Sequence, residues 1–211
     1  MPKSIVSSPV IKRLPRYFRF LGELERNGIV RISSRELSER MGFTASQIRQ
    51  DLNCFGGFGQ QGYGYNVPEL RAAISRILGI DAGNPTVLIG AGNLGKALTV
   101  HMDFNKRGFK LIGIFDKDPQ ICGTVISELP VMPIEKLESF CEKNNPVCAI
   151  LCIPKTAAEK LIQRLTDCGI KAFWNFSHYD IRAVDGIVVE NVHLSDSLMT
   201  LAYGLNNPPE K

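Results

Sequence analysis

Three glycines, Gly90, Gly92 and Gly95, stand as Gly-x-Gly-x-x-Gly within TVLIGAGNLGKALTV, and Asp116 follows 21 residues after the last of them. This spacing can hold a pyrophosphate. The first glycine allows a tight turn from strand into helix, the second lets a phosphate approach the backbone, and the third lets helix and strand pack closely. Ala91, Asn93 and Leu94, between and after them, would offer backbone N–H groups at the positive end of a helix dipole. A glycine pattern alone is a weak signal. Here a β-branched, apolar run precedes it, a helical pattern follows, and Asp116 closes the next apolar run, KLIGIFD. That carboxylate can bond the adenosine ribose hydroxyls and repels a 2′-phosphate, which favours NAD and NADH over their phosphorylated forms. Lys117 beside it works against the preference. Pro154, after the VCAILC run, and Asn175–Phe176, in KAFWNFS, fall on the sheet edge where the nicotinamide half must pass. Loop scaffolding is the other reading of these three.

The first eighty residues have a different chemistry. They hold 12 Lys and Arg against 6 Asp and Glu, while the rest of the chain holds 13 against 15. A basic front and a near-neutral back point to a polyanion partner for the front only. Within it, Ser33 and Glu36 fit a capping box, Leu37 and Met41 supply an apolar stripe, and Gly42 permits a sharp turn. Thr44 can cap a further helix to about Phe55, with Ala45, Ile48, Leu52 and Phe55 inward. Two short helices around a glycine turn, after a longer helix, make a helix-turn-helix. The opposite face then presents Ser46, Gln47, Arg49, Gln50 and Asn53, groups that reach base edges and phosphates. Lys12, Arg13, Arg16 and Arg19 add charge on the longer helix, residues 9–27, whose regular part is expected to begin at Pro15. GGFGQQGYGYNV, glycines interleaved with aromatics and carrying Gln61 and Tyr63, reads as a hairpin or wing. Any one of these side chains alone reads as a solvated charge. Together they point to double-stranded DNA.

The remaining elements must hold the glycine turn in place. A helix is predicted over Val67–Leu78, and turn residues at 79–85 mark a boundary. Beyond it, strands (TVLIGA, KLIGIFD, VCAILCIP, KAFWNFS, GIVVENV) alternate with helices at Leu94–Lys106, IEKLESFCEKN and KTAAEKLIQRLTDCG. That alternation implies a mostly parallel sheet covered on both faces. A last apolar helix, LSDSLMTLAYGLN, has no partner in this scheme. Six cysteines form no C-x-x-C and the three histidines are not clustered with them, so no metal site is expected. The cysteines read as reduced, apolar fillers of a cytoplasmic protein. At 44% hydrophobic residues the chain can build real cores. It has neither a membrane-length apolar run nor a signal-peptide core.

The stretches RLPRYFRFL, VRISSRELSERMG, SQIRQDLNCFGGFGQQGYGYNV, GAGNLGKAL, GIFDKDP, WNFS and VENVHLSDSL resemble, in order and over nearly the whole chain, the Rex family of redox-sensing transcriptional repressors. The resemblance implies an α/β chain: an N-terminal winged helix-turn-helix domain (1–80), a Rossmann dinucleotide-binding domain (81–193) and a C-terminal helix (194–211) swapped between subunits of a homodimer. It implies repression of anaerobic, fermentative and respiratory genes, with release from the operator when NADH replaces NAD. It also places Asp196 beside the partner's nucleotide site. Arg19 and His101 are then its alternative partners in a switch; the plainer reading is that Asp196 caps its helix. Two positions depart from the family pattern, Gln50 and Gln61, where basic residues are common, and His101 stands where some members carry tyrosine. The rival reading is an NAD-dependent dehydrogenase. Residues 86–211 barely suffice for the nucleotide fold, leaving no chain for a substrate domain and no catalytic residue to assign.

Overall fold

The structure is a computed structural model. It describes residues 6–60, 63–183 and 186–207, and Gln61 lies outside them. The chain divides into two compact units, Met1–Asp81 and Ala82–Lys211.

The first unit begins with α1 (Ser8–Arg26), with Ser7 at the N-cap position, its side chain making no cap bond, and Pro9 in the first turn. Val10, Leu14, Tyr17, Leu21 and Leu24 recur three or four residues apart and form its buried stripe. The helix runs unbroken through Pro15, contrary to the expectation that its regular part begins there. Pro15 sits on the exposed face, so the carbonyl deprived of its N–H partner can turn to water. After β1 (Arg31–Ile32) comes α2 (Ser34–Met41), opened by the Ser33–Glu36 capping box. The Glu36 N–H donates to Ser33 Oγ at 3.1 Å, and the Ser33 N–H to Glu36 Oε2 at 2.8 Å. Gly42, at φ +71°, ends α2 in the left-handed conformation that glycine tolerates best. Thr44 then caps α3 (Ala45–Asn53), which stops two residues short of Phe55. β2 (Gly59–Gln60) and β3 (Gly64–Asn66) pair antiparallel, and β3 also pairs with β1. The helix α4 (Val67–Leu78) packs along α1. Leu14, Leu21, Ile48, Leu52 and Ile74 meet in one core. This is a winged helix-turn-helix.

In the second unit the chain runs β4 (Asn84–Ile89), α5 (Asn93–His101), β5 (Phe109–Asp116), β6 (Val125–Ile126), β7 (Leu129–Pro133) and α6 (Leu137–Asn144). It continues with β8 (Cys148–Leu151), α7 (Lys155–Asp167), β9 (Ala172–Asn175), β10 (Val188–Asn191) and α8 (Leu194–Asn206). Among the described residues the sheet order is β10-β9-β8-β4-β5-β7-β6, parallel except for the β6–β7 hairpin. The order reverses between β4 and β8, the switch point at which Rossmann sheets open a crevice. The strand centres are buried on both faces, with Val87, Ile89 and Phe115 in one cluster and Leu88, Ile114 and Ile150 in the other.

Two sequence expectations shift. The helix after the glycine turn ends at His101 instead of Lys106, because Met102 is extended and Asp103 accepts the Lys106 N–H at 3.3 Å, opening a separate 3-10 turn. The short β6 and β7 went unpredicted. They flank a tight turn with Ser127 and Glu128 at positive φ, and proline at 130 and 133 hides any strand alternation. In α8 no residue is buried; Leu194, Leu198, Met199, Leu201, Tyr203 and Leu205 are each 60–75% exposed. Among the described residues, no helix is long and apolar enough to cross a membrane.

Candidate nucleotide cavity and nucleic-acid face

A cavity of about 370 Å³ opens at the C-terminal ends of β4, β5 and β8, in the size range of small-ligand sites. Gly90, Gly92, Asp116, Lys117, Cys152 and Pro154 line it, with Ile134, Ile153, Leu161, Lys160 and Arg164 along one side. The glycines do separate jobs. At Gly90, φ is +98°, and a Cβ would run into the Cys152 carbonyl oxygen. At Gly95 a Cβ would run into the Gly90 carbonyl oxygen, so strand and helix approach as closely as backbone allows. At Gly92 a Cβ would meet no atom within 4 Å, because this glycine faces open space. It is also the N-cap of α5, and no side chain caps that end. The first-turn amides, at Asn93, Leu94 and Gly95, are thus left without an intrahelical acceptor and suit an anion.

Asp116 is fastened in place. Its Oδ2 accepts the Ala91 N–H at 2.6 Å and its Oδ1 the Asp118 N–H at 2.9 Å. Each oxygen keeps a lone pair for a ribose hydroxyl. An open glycine turn, an uncapped helix end and an oriented carboxylate together fit a dinucleotide. Pro154 caps α7 and lines the cavity. Asn175 and Phe176 do not line it. The Asn175 side chain is spent within the protein: its amide donates to the Tyr179 carbonyl (2.6 Å) and to Asn191 Oδ1 (2.8 Å), and its Oδ1 accepts the Ser177 hydroxyl (2.6 Å). Phe176 packs edge-on against Trp174 at 4.6 Å. For these two residues the scaffolding role is the one observed. Residues 157, 160, 161 and 164 were missed, although their spacing marks one face of the helix that follows the switch point.

On α3, Ser46, Arg49, Gln50 and Asn53 are exposed, and the Arg49 guanidinium rests on Ser34 Oγ at 3.0 Å. Gln47 does not share that face freely. It is half-buried and donates to Asp51 Oδ1 at 2.9 Å. Asp51, 1% exposed, is the residue that sequence reasoning overlooked. Arg13 grips it with two bonds, at 2.6 and 2.8 Å, and the Tyr17 hydroxyl adds a third at 2.8 Å. Burial alone would raise the Asp51 carboxyl, but the bonds from Arg13, Gln47 and Tyr17 outweigh it and hold the group below its ordinary value. Burial, then the bond to Asp51, pushes the Tyr17 phenol well up. Arg13 is therefore committed to joining α1 to α3. Its one signal was Asp51's place three residues after the inward Ile48. Arg16 reaches the Met41 carbonyl at 3.2 Å and lies over the Phe43 ring at 4.4 Å, closing the end of α2. Lys12 and Arg19 are exposed on α1, and Tyr63, 69% exposed, projects from the wing with Arg31 over its ring at 5.8 Å.

His101 is the exposed last residue of α5. Asp196 stands in the first turn of α8, but the N-cap is His193, tied to Asp180 at 2.7 Å, and no side chain caps the helix. The six cysteines are free thiols, and among the described residues no cluster of three or more His, Cys, Asp or Glu could hold a metal.

Two family profiles match the chain: "Putative DNA-binding protein N-terminus" at residues 5–53 and "CoA binding domain" at residues 81–179. The chain is 58% identical to the redox-sensing transcriptional repressor Rex of Caldanaerobacter subterraneus subsp. tengcongensis over 204 residues, 97% of this chain and 91% of that one. The Rex of Clostridium perfringens strain SM101 is 54% identical, with 97% of each chain covered. This chain belongs to the Rex family. The Rex of Clostridium tetani is 48% identical over 99% of both chains. Among solved structures, the Rex-family repressor RSP in complex with β-NAD+ and operator DNA superposes with a TM-score of 0.90, at 56% identity, covering 96% of this chain and 94% of that one. RSP in complex with β-NADH gives 0.88 at 53% identity, covering 96% and 95%. Rex proteins are transcriptional repressors and not enzymes, which sets the dehydrogenase reading aside.

Proposed function

We propose that this chain is a cytoplasmic redox-sensing repressor that binds operator DNA as a homodimer in the presence of NAD and releases it when NADH takes the cavity. One observation carries the reading: Gly92 faces open space at the uncapped start of α5, with Asp116 oriented beside it, in a chain whose other unit exposes Ser46, Arg49, Gln50 and Asn53 on one helix face. The α5 amides hold the pyrophosphate, Asp116 the adenosine ribose, and Pro154 borders the nicotinamide side. The nicotinamide supplies the signal, since its ring is planar and cationic when oxidised and puckered and neutral when reduced. Arg49, Gln50 and Asn53 read bases, Ser46 and Lys12 contact the backbone, and Gln61 and Tyr63 belong to the wing contact. The uncovered face of α8 supports the exchanged-helix dimer, and Arg19, His101 and Asp196 form the proposed switch set. On this reading residues 1–80 bind DNA, 81–193 bind nucleotide and 194–211 join the subunits. A gel shift on DNA upstream of the chain's own coding region, with NAD and NADH titrated separately, tests it. NADH should release the DNA and NAD should not; equal behaviour of the two refutes the reading.

A further inference from the structure

We propose that Cys141 and Cys168 form a reversible disulfide when the protein meets a hydroperoxide, a thiol redox site that the nucleotide cavity does not use. The connections β7–α6–β8 and β8–α7–β9 cross the sheet in the same direction, so right-handedness puts α6 and α7 side by side on one face. Arg164 of α7 bridges Glu138 of α6 at 2.7 Å. Cys141 lies three residues beyond Glu138, and Cys168 four residues beyond Arg164, which is one helical turn further along each helix. There the two thiols join the same apolar cluster, and each bears on the other's ionisation. Neither lines the cavity.

Unequal exposure assigns the roles. Cys141 is 2% exposed, whereas Cys168 is half-buried and within reach of a small oxidant. Burial pushes both thiols up, Cys141 to about 12, while the neighbouring Cys141 works the other way on Cys168. Oxidation is therefore slow in neutral buffer and faster in mildly alkaline buffer. The Cys168 thiolate attacks a peroxide oxygen and the O–O bond breaks. Cys168 becomes a sulfenic acid, and the departing oxygen takes up the proton that Cys168 released. The Cys141 sulfur then attacks the sulfenic sulfur. An S–S bond forms, the S–O bond breaks, and hydroxide leaves as water with the Cys141 proton. Two thiols lose two electrons and one peroxide gains them.

The test treats the reduced full-length chain with hydrogen peroxide, blocks remaining thiols, and measures intact mass and an unreduced tryptic map. The chain should lose two hydrogens, and LESFCEK should emerge linked to LTDCGIK. In Cys141→Ser, Cys168 should instead gain oxygen without a link. In Cys168→Ser, residue 141 should stay reduced. Oxidation that leaves those two peptides unlinked, links either to another cysteine, or yields only covalent dimers through the exposed Cys54 overturns the proposal.

Discussion

The two units build their sites from different materials. In the Rossmann unit the site is backbone: two glycines that admit no Cβ and a third that faces open space, free amides at a helix end, and one carboxylate bonded to the turn itself. In the winged-helix unit the site is side chains, and the same side-chain types also hold the unit together. Arg13 and Gln47, both plausible DNA contacts by charge and spacing, are bound to Asp51. Spacing determines what a glycine does, because only one residue type fits the steric slot. A charged residue's role depends on what lies opposite it, and that is settled by the fold.

Breaking each site at its characteristic material should separate the two. The chain's single tryptophan, Trp174, reports on the Rossmann unit alone, while circular dichroism follows both. Asp51→Ala leaves Arg13, Tyr17 and Gln47 without their buried acceptor and should cost about 3–5 kcal/mol, the range for a broken buried ion pair. In denaturant, helical signal should be lost before Trp174 responds, and operator binding should fail while NADH binding survives. If Trp174 and the helical signal shift together, the units do not unfold independently. The same carboxylate sets an acid limit. Its folded value lies below its unfolded one, so its stabilisation is whole above about pH 4 and disappears as pH falls through the folded value. Asp51→Asn should lack that step in an acid titration of helicity.

Gly95→Ala forces a Cβ against the Gly90 carbonyl and should cost about 1–3 kcal/mol of overpacking strain. Here the order reverses: Trp174 fluorescence should respond first, and NADH binding should fall at least tenfold. Wild-type NADH affinity would show that the turn relaxes and that close backbone approach is not what the site needs.

Arg49→Ala should weaken operator binding by about 1–3 kcal/mol if the guanidinium pairs with guanine, with NADH affinity unchanged. The Ser34 contact holds Arg49 on the surface, and losing it should not alter stability measurably. An operator titration equal to wild type removes α3 from the reading role. The smallest effect is selectivity. NADH should bind at least tenfold tighter than NADPH, about 1.4 kcal/mol, and Asp116→Ala should narrow the gap. Lys117, Lys160 and Arg164 line the same cavity, so equal affinities in the wild type would mean that these cations offset the carboxylate.

The sequence carried most of the fold because its signals were local: Ser33 and Glu36 three apart, Gly42 at a forced left-handed turn, apolar runs alternating with helical stripes. It failed where a signal was absent or masked. Pro15 looked like a break, but its exposed position let the helix continue. β6 is two residues long and β7 carries two prolines, so neither shows an alternation. At the nucleotide cavity, the glycine turn and Asp116 were readable. At Asn175, position at a strand end does not say which way an amide is spent; its side chain bonds Tyr179, Asn191 and Ser177. The α7 wall was readable from its spacing, but only once the switch point had placed that helix beside the glycine turn.

If one ligand loosens the other, the coupling must be reciprocal: the factor by which NADH weakens operator binding is the factor by which operator weakens NADH binding. Titrating NADH into the full-length chain with and without saturating operator, at one salt concentration, measures this directly. The account predicts that operator lowers NADH affinity at least tenfold and leaves NAD affinity undiminished. An NADH affinity that is the same with and without operator would contradict it.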